Sequence, residues 1–577
     1  MKFFKRHQNG FIALGLGLAV TVVLLLSSPN LGLTRDEGYY FDAAERYAGW
    51  FRELGQNPTT AFSEPIIRRY YEINREHPVL VKNLMALSYL ALAPQKTYSA
   101  NKWPADQAGA YVTAMRLPAI LFSALGVALL FLFGCSLASR QVGLFAALAF
   151  ILAPRHFYHA QLACFDMPVA VLWLATVMAY RKSKISFSWG IATGLIWGLA
   201  ISVKHNAFFL PPLLVLHWLL TEGKTLSISR KGLKMPRIPL AFFSMLILGP
   251  LVFFLHWPFI WHQTIERIGW YFGFHLNHIN YYWEYFGRLL TDAPFPWLYP
   301  FAVTALTLPL PTLALGAWGF YRLAGKSLGQ PLKTTYRFFS RLSGAQTPSA
   351  ATDPEADLLN PSDRWLIVLN AFIPLMIIAI PSVPIFGGMK HWLHAMPFIC
   401  LMGGLALAQI INRLPAQLER WHLTRQRIYF GVSTLVLLPS LLGLIHIGSY
   451  GSSYYNELAG GVAGAADLGM QRQYWSNNVT GVLPWINENA PRGARLHLHE
   501  VNAECYRTYK RDGYLRSDLR IAWLPDHSDL TAYQYHREFV DSEYRIWNKT
   551  GHKKVAHGLY IDEVPIVLVY DLTQTKP

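Results

Sequence analysis

The 577-residue sequence predicts a mainly α-helical, polytopic transmembrane bundle followed by a small C-terminal α/β domain outside the membrane. Three observations carry this. Hydrophobic residues make up 53% of the chain and charged ones only 15%, whereas soluble domains carry about a quarter charged residues. The apolar residues collect in runs of roughly 18 to 25, long enough to cross about 30 Å of hydrocarbon as helices, which pair every backbone polar group internally. After Tyr450 the runs stop and the composition becomes that of a soluble domain.

Lys2, Lys5 and Arg6 precede the first run, from about Phe11 to Leu26. No small-x-small cleavage site follows before Arg35, so the run reads as an uncleaved signal anchor. About eleven spans are predicted, centred near residues 20, 125, 148, 175, 195, 213, 248, 308, 372, 402 and 438. With the N-terminus inside, the basic residues fall in the cytoplasmic turns: Arg140, then Arg181, Lys182 and Lys184, then Lys224 to Arg237, Lys326 to Arg341, and Arg413 to Arg427. This positive-inside pattern predicts a multi-pass protein of a bacterial-type inner membrane. Residues 30–111, 154–167, 261–295 and everything after about 448 then lie outside. The expected division is a membrane region, 1–449, and an extracytoplasmic domain, 450–577. Residues 342–362 read as a flexible cytoplasmic linker. In the last region, Ala494 to Val501, Leu519 to Leu524 and Val564 to Leu572 read as strands and Trp485 to Glu488 as helix.

The net charge of +17, from 51 Lys and Arg against 34 Asp and Glu, is scattered between apolar runs and lines no single face. Membrane topology accounts for it, and the expected partners are lipids, not nucleic acid. Cys135, Cys164, Cys400 and Cys505 lie far apart with no metal-ligand spacing, so they read as packing residues.

The unusual chemistry lies in the external segments. Directly after the first run comes Thr34-Arg35-Asp36-Glu37, an acidic pair that on its own fits a capped surface helix as well as a reactive site. Later in the same segment come His77-Pro78-Val79-Leu80-Val81-Lys82 and then Arg116-Leu117-Pro118 at the mouth of the second span. His159 and Asp166 stand in the second external turn, Lys204 and His205 follow a later span, and Lys390 and His391 precede another. For the lysines, interfacial snorkelling is the bland alternative. The loop Trp270 to Tyr285, dense in rings and imidazoles, fits either an interfacial aromatic belt or a wall for a sugar and a lipid head.

In order and spacing, the acid pair, the HPVLVK segment and the RLP segment resemble the protein O-mannosyltransferases and the lipid A aminoarabinose transferases, both GT-C enzymes. HPVLVK departs from the HPPLGK of the former family, which argues against carrying over its substrate wholesale. The resemblance implies a GT-C fold and transfer of a sugar, a hexose or an aminopentose, from a polyprenyl-phosphate donor. The acceptor would be extracytoplasmic: protein, lipid A or an envelope glycan. Asp36 is then the expected base, with Glu37 and Asp166 as supporting acids or, with Asp36, ligands of a possible divalent cation. His77, Lys82, Arg116, His159, Lys204, His205, Lys390 and His391 are the expected donor-phosphate and substrate residues. The rivals are a phosphoethanolamine-type or acyl transferase, for which no nucleophile or metal spacing is visible, and a lipid or polysaccharide transporter or flippase without transferase activity, whose polar residues would sit near mid-membrane.

Overall fold

The computed structural model describes residues 2–93, 109–223, 227–229, 232–234, 237–342, 359–414 and 424–573. Most of the expected linker 342–362 lies outside these residues, as do Lys224, Arg230, Lys231 and Arg420 of the expected cytoplasmic turns.

The apolar runs become helices, among them Lys2–Ser27, Ala110–Leu137, Asp166–Ser183, Leu240–His256 and Arg425–Ile447. The run near 308 is split. Leu308 is extended, with φ −85° and ψ 134°, because the proline after it disfavours helical geometry there, so Tyr299–Thr307 ends before Leu310–Leu342 begins. Among the described residues, five helical stretches are long and apolar enough to cross a membrane: His7–Asn30, Ala110–Leu137, Pro361–Ile378, Gly388–Asn412 and Arg425–Ser453. A sixth appears if Pro154–Gln161 and Asp166–Ser183, bent 103° against each other, form one broken span. Arg140–Leu152, Phe187–Ile201 and Leu240–His256 are apolar but shorter. The 13 residues of Arg140–Leu152 reach about 20 Å against about 30 Å of hydrocarbon. The fold is therefore mainly helical and multi-span, and several of the eleven expected crossings are too short to cross alone.

Small residues let these helices approach closely, as membrane interfaces require. A Cβ on Gly194 would lie 2.2 Å from Ser244 Oγ on the neighbouring Leu240–His256.

Arg35–Gln56 packs against both Glu64–Tyr71 and Leu80–Leu92, with the Tyr47 and Tyr71 rings stacked at 4.3 Å. Two hairpins stand apart: β1 (Ser227–Ser229) with β2 (Gly232–Lys234), and β3 (Trp283–Tyr285) with β4 (Arg288–Leu290). After the last membrane helix the chain builds a five-stranded sheet from β5 (Arg495–Leu498), β6 (Arg520–Ile521), β7 (Leu530–Gln534), β8 (His557–Ile561) and β9 (Val564–Asp571), in the order β6-β5-β7-β9-β8. β5 runs parallel to β6 and β7, while β9 is antiparallel to β7 and β8. β5, β6 and β9 fall in the segments expected as strands, and Leu483–Asn489 covers the expected helix. β7 and β8 are additions to that reading.

This C-terminal region clamps the start of Arg35–Gln56. Arg35 N–H donates to Trp475 O at 2.9 Å, and Asn502 Nδ2 to Arg35 O at 2.8 Å. The contact is possible because residue 38 is glycine: a Cβ there would lie 2.5 Å from Asn502 Oδ1 and 2.7 Å from Cys505 Sγ. Cys505 Sγ in turn donates to Thr34 O at 3.3 Å.

Candidate functional site

The site grows from the first turn of Arg35–Gln56. Thr34 caps this helix, its hydroxyl accepting from Glu37 N–H while the Glu37 carboxylate accepts from Thr34 N–H. The cap turns Glu37 inward. There its two oxygens meet Arg116, Nε at 2.7 Å and Nη2 at 2.8 Å, and Ala163 N–H at 2.9 Å, with both side chains fully buried. Arg116 spends its remaining donors on the carbonyls of Ser28, Leu31 and Gly32. Asp36, one residue earlier, points the other way, into a cavity of about 790 Å³.

Of the residues expected at the site, Asp36, His77, Asp166, Lys204, His205, Lys390 and His391 line this one cavity. Lys204 Nζ donates to Asp166 Oδ1 at 2.6 Å. Lys390 is only 7% exposed, and among the described residues its Nζ makes no hydrogen bond; Asp36 Oδ2 stands 3.8 Å away and the rings of Trp475 and Phe386 lie at 4.3 and 4.6 Å. Such an ammonium, desolvated but facing the cavity, favours an anionic ligand. The preceding Gly387 makes this position possible: its φ is +64°, and a Cβ would fall 2.5 Å from Lys390 Cε.

Imidazoles form much of the remaining lining. The His205 and His275 rings lie 4.1 Å apart and His77 and His275 6.1 Å apart. Burial pushes His77 and His205 well below the ordinary histidine range and His275 down to about 4, so all three are neutral at pH 7. Among the described residues, Nδ1 of His77 and of His205 is buried without a hydrogen bond. His278, Tyr281, Tyr282 and Trp283, from the loop whose rings fitted either a belt or a wall, also line the cavity. Phe208, Phe272 and Ile377 give it an apolar side toward the helices.

Four expected residues do not line the cavity. Glu37 and Arg116 are consumed by their mutual pair. Lys82 lies behind the wall, its Nζ donating to Asn74 O at 2.7 Å, Asn74 Oδ1 at 2.9 Å and His77 O at 3.1 Å, and burial pushes it down to about 7. His159 is buried among Tyr158, Tyr474 and Trp475, and among the described residues neither of its ring nitrogens has a hydrogen bond. Because Glu37 is turned away and Asp166 is held by Lys204, the three acids do not converge as metal ligands. Among the described residues no three or more His, Cys, Asp or Glu are grouped to hold a metal ion.

The sequence reading missed Glu76, Trp475, Glu500, His536 and Glu538, all of which line the cavity. Glu76 adjoins the HPVLVK segment and could have been found with it; the others arrive from the C-terminal region by long-range packing and carry no local signal. It also missed Arg155, a buried guanidinium with Nε 2.9 Å from Tyr454 O and its carbon 4.7 Å from the Tyr455 ring centre.

Residues 64–267 match the family model of dolichyl-phosphate-mannose-protein mannosyltransferases. The match spans the HPVLVK and RLP segments, and it bears out the resemblance read from them. With its apolar helices, the chain is a multi-pass membrane protein. No curated protein matches it in sequence. Among solved structures, ArnT from Cupriavidus metallidurans bound to undecaprenyl phosphate aligns over 98% of this chain and 99% of its own, at 14% identity and a TM-score of 0.46. The Archaeoglobus fulgidus oligosaccharyltransferase in its apo form aligns over 82% of this chain and 58% of its own, at 12% identity and a TM-score of 0.44.

Proposed function

We propose that this protein is a membrane glycosyltransferase that takes a sugar from a polyprenyl-phosphate donor and passes it to an acceptor on the extracytoplasmic face of a bacterial-type inner membrane, with residues 1–449 as its catalytic region and 450–577 as an external domain. The observation that carries the reading is Asp36 and Lys390 facing one cavity at 3.8 Å, beside the Lys204–Asp166 pair. A base and a group for a departing phosphate are what this transfer needs at one place.

Asp36 takes the proton of the acceptor hydroxyl or amine as that atom attacks the anomeric carbon. The bond from this carbon to the phosphate oxygen breaks, and the phosphate leaves with the electron pair toward Lys390, with Lys204 as the second cation. A single displacement inverts the configuration. The apolar side formed by Phe208, Phe272 and Ile377 suits the polyprenyl chain. The neutral imidazoles of His77 and His205 offer hydrogen bonds to hydroxyls of the sugar or the acceptor.

Purified protein in nanodiscs, given undecaprenyl phosphate carrying mannose or aminoarabinose, should transfer the sugar to an envelope fraction. Asp36→Asn should lower transfer by about 10²-fold or more, with donor affinity retained. Transfer at the wild-type rate in this variant would remove Asp36 from its role.

A further inference from the structure

One group on the wall supplied by the C-terminal region has an atom with no partner in the fold. The Glu538 side chain is 6% exposed and lines the cavity, yet its Oε2 is buried without a hydrogen bond among the described residues. Its Oε1 stands 3.5 Å from His536 Nδ1. A carboxyl oxygen in this state favours any ligand that brings a hydrogen-bond donor.

The neighbouring histidine is fixed in one form. Glu284 N–H donates to Gln471 Oε1 at 2.9 Å, which orients the amide so that Nε2 faces His536 Nδ1 at 2.8 Å. Nδ1 therefore accepts, and the ring hydrogen is carried on Nε2. Burial pushes His536 down to about 4 and the Glu538 carboxyl up to about 7. The Phe539 ring lies 5.8 Å from that of His536, and Trp475 also lines the cavity.

A carboxyl group, an imidazole N–H and aromatic faces together match a saccharide, whose hydroxyls both donate and accept while its C–H faces lie on rings. Resting on the glycosyltransferase reading, we propose that Glu538 and His536 form a saccharide-hydroxyl subsite of the cavity, contributed by the C-terminal region. The hydroxyls can belong to the transferred sugar or to a carbohydrate acceptor, and the two sources separate in one experiment.

Full-length wild type, Glu538→Leu and Glu538→Gln are compared in nanodiscs. Glu538→Gln keeps an oxygen toward Gln471 and His536 and should keep the wild-type Tm, and both variants should bind bare undecaprenyl phosphate within twofold of wild type. If the subsite holds the transferred sugar, Glu538→Leu binds undecaprenyl phosphate carrying mannose or aminoarabinose at least tenfold more weakly. If it holds the acceptor, donor affinity stays and transfer to the envelope fraction falls at least tenfold. Donor binding and transfer both within twofold of wild type in both variants would overturn the proposal, as would a parallel loss of Tm and of bare-carrier binding. A wild-type protein that neither binds the donors nor transfers sugar would instead defeat the reading on which the proposal rests, and the variants play no part in that result.

Discussion

At the first turn of Arg35–Gln56, adjacent acids face opposite surroundings. Successive helical residues diverge by about 100°, so whatever packs against one side claims one acid and releases the other. Here Arg116 and Ala163 claim Glu37, and the cavity receives Asp36. Removing one partner of a buried pair leaves the other charged and unpaired, at about 3–5 kcal/mol. Glu37→Gln should therefore lower Tm strongly, while the fraction that folds binds undecaprenyl phosphate with wild-type affinity. An unchanged Tm with transfer abolished would place Glu37 in the reaction itself.

At the scale of elements, the short segment before Met396–Asn412 decides where the buried cation sits. Gly387 and Gly388 both adopt positive φ, +64° and +62°. Gly388 also passes close to Arg155, where a Cβ would lie 3.2 Å from Nη1, so the buried guanidinium backs the turn that aims Lys390. Gly387→Ala would strain the backbone and press on Lys390 Cε. It should weaken binding of undecaprenyl phosphate by about tenfold, read from the fluorescence of Trp475, 4.3 Å from Nζ. Lys390→Met should weaken it at least as much, and adding Gly387→Ala to that variant should cost nothing further. An additional loss in the double variant would show that the glycine acts on something other than the lysine. These elements also mark what was legible in the sequence. Apolar runs announced the helices, and polar residues at run ends announced Asp36, Asp166, Lys204 and Lys390 as candidates. β7 gave no such signal, because all five of its residues are buried and the alternation that marks a half-exposed strand is absent. Lys82 and Arg116 were visible as motif residues, but whether a cation faces the cavity or the fold behind it depends on carbonyls brought from Asn74 and Leu31, which no local spacing records.

At the scale of the molecule, the C-terminal region completes the membrane part as well as the cavity. The helix Ala110–Leu137 begins after Gly109, which offers no side-chain cap, so its first N–H groups need acceptors from elsewhere. Asp512 supplies them: Oδ1 accepts from Tyr111 N–H at 3.4 Å and Oδ2 from Val112 N–H at 2.9 Å, while its carbonyl accepts from Gly109 N–H at 3.3 Å. Arg511 beside it pairs with Glu45 at 2.6 Å, tying the same region to Arg35–Gln56. Asp512 is fully buried, and burial pushes its carboxyl from 3.8 up to about 6, against the opposing pull of the two N–H groups. A raised acid binds its proton more tightly folded than unfolded. This group's contribution to stability is therefore greatest below pH 4, declines as pH rises toward 6 and is constant above, a change of at most about 3 kcal/mol. Asp512→Asn cannot ionise and keeps an oxygen to accept from the helix. The Tm of the variant relative to wild type should thus rise between pH 4 and pH 7, measured by thermal unfolding in detergent. A difference in Tm that does not change with pH would mean that the folded carboxyl ionises as it does unfolded, the pull of the two N–H groups cancelling the effect of burial.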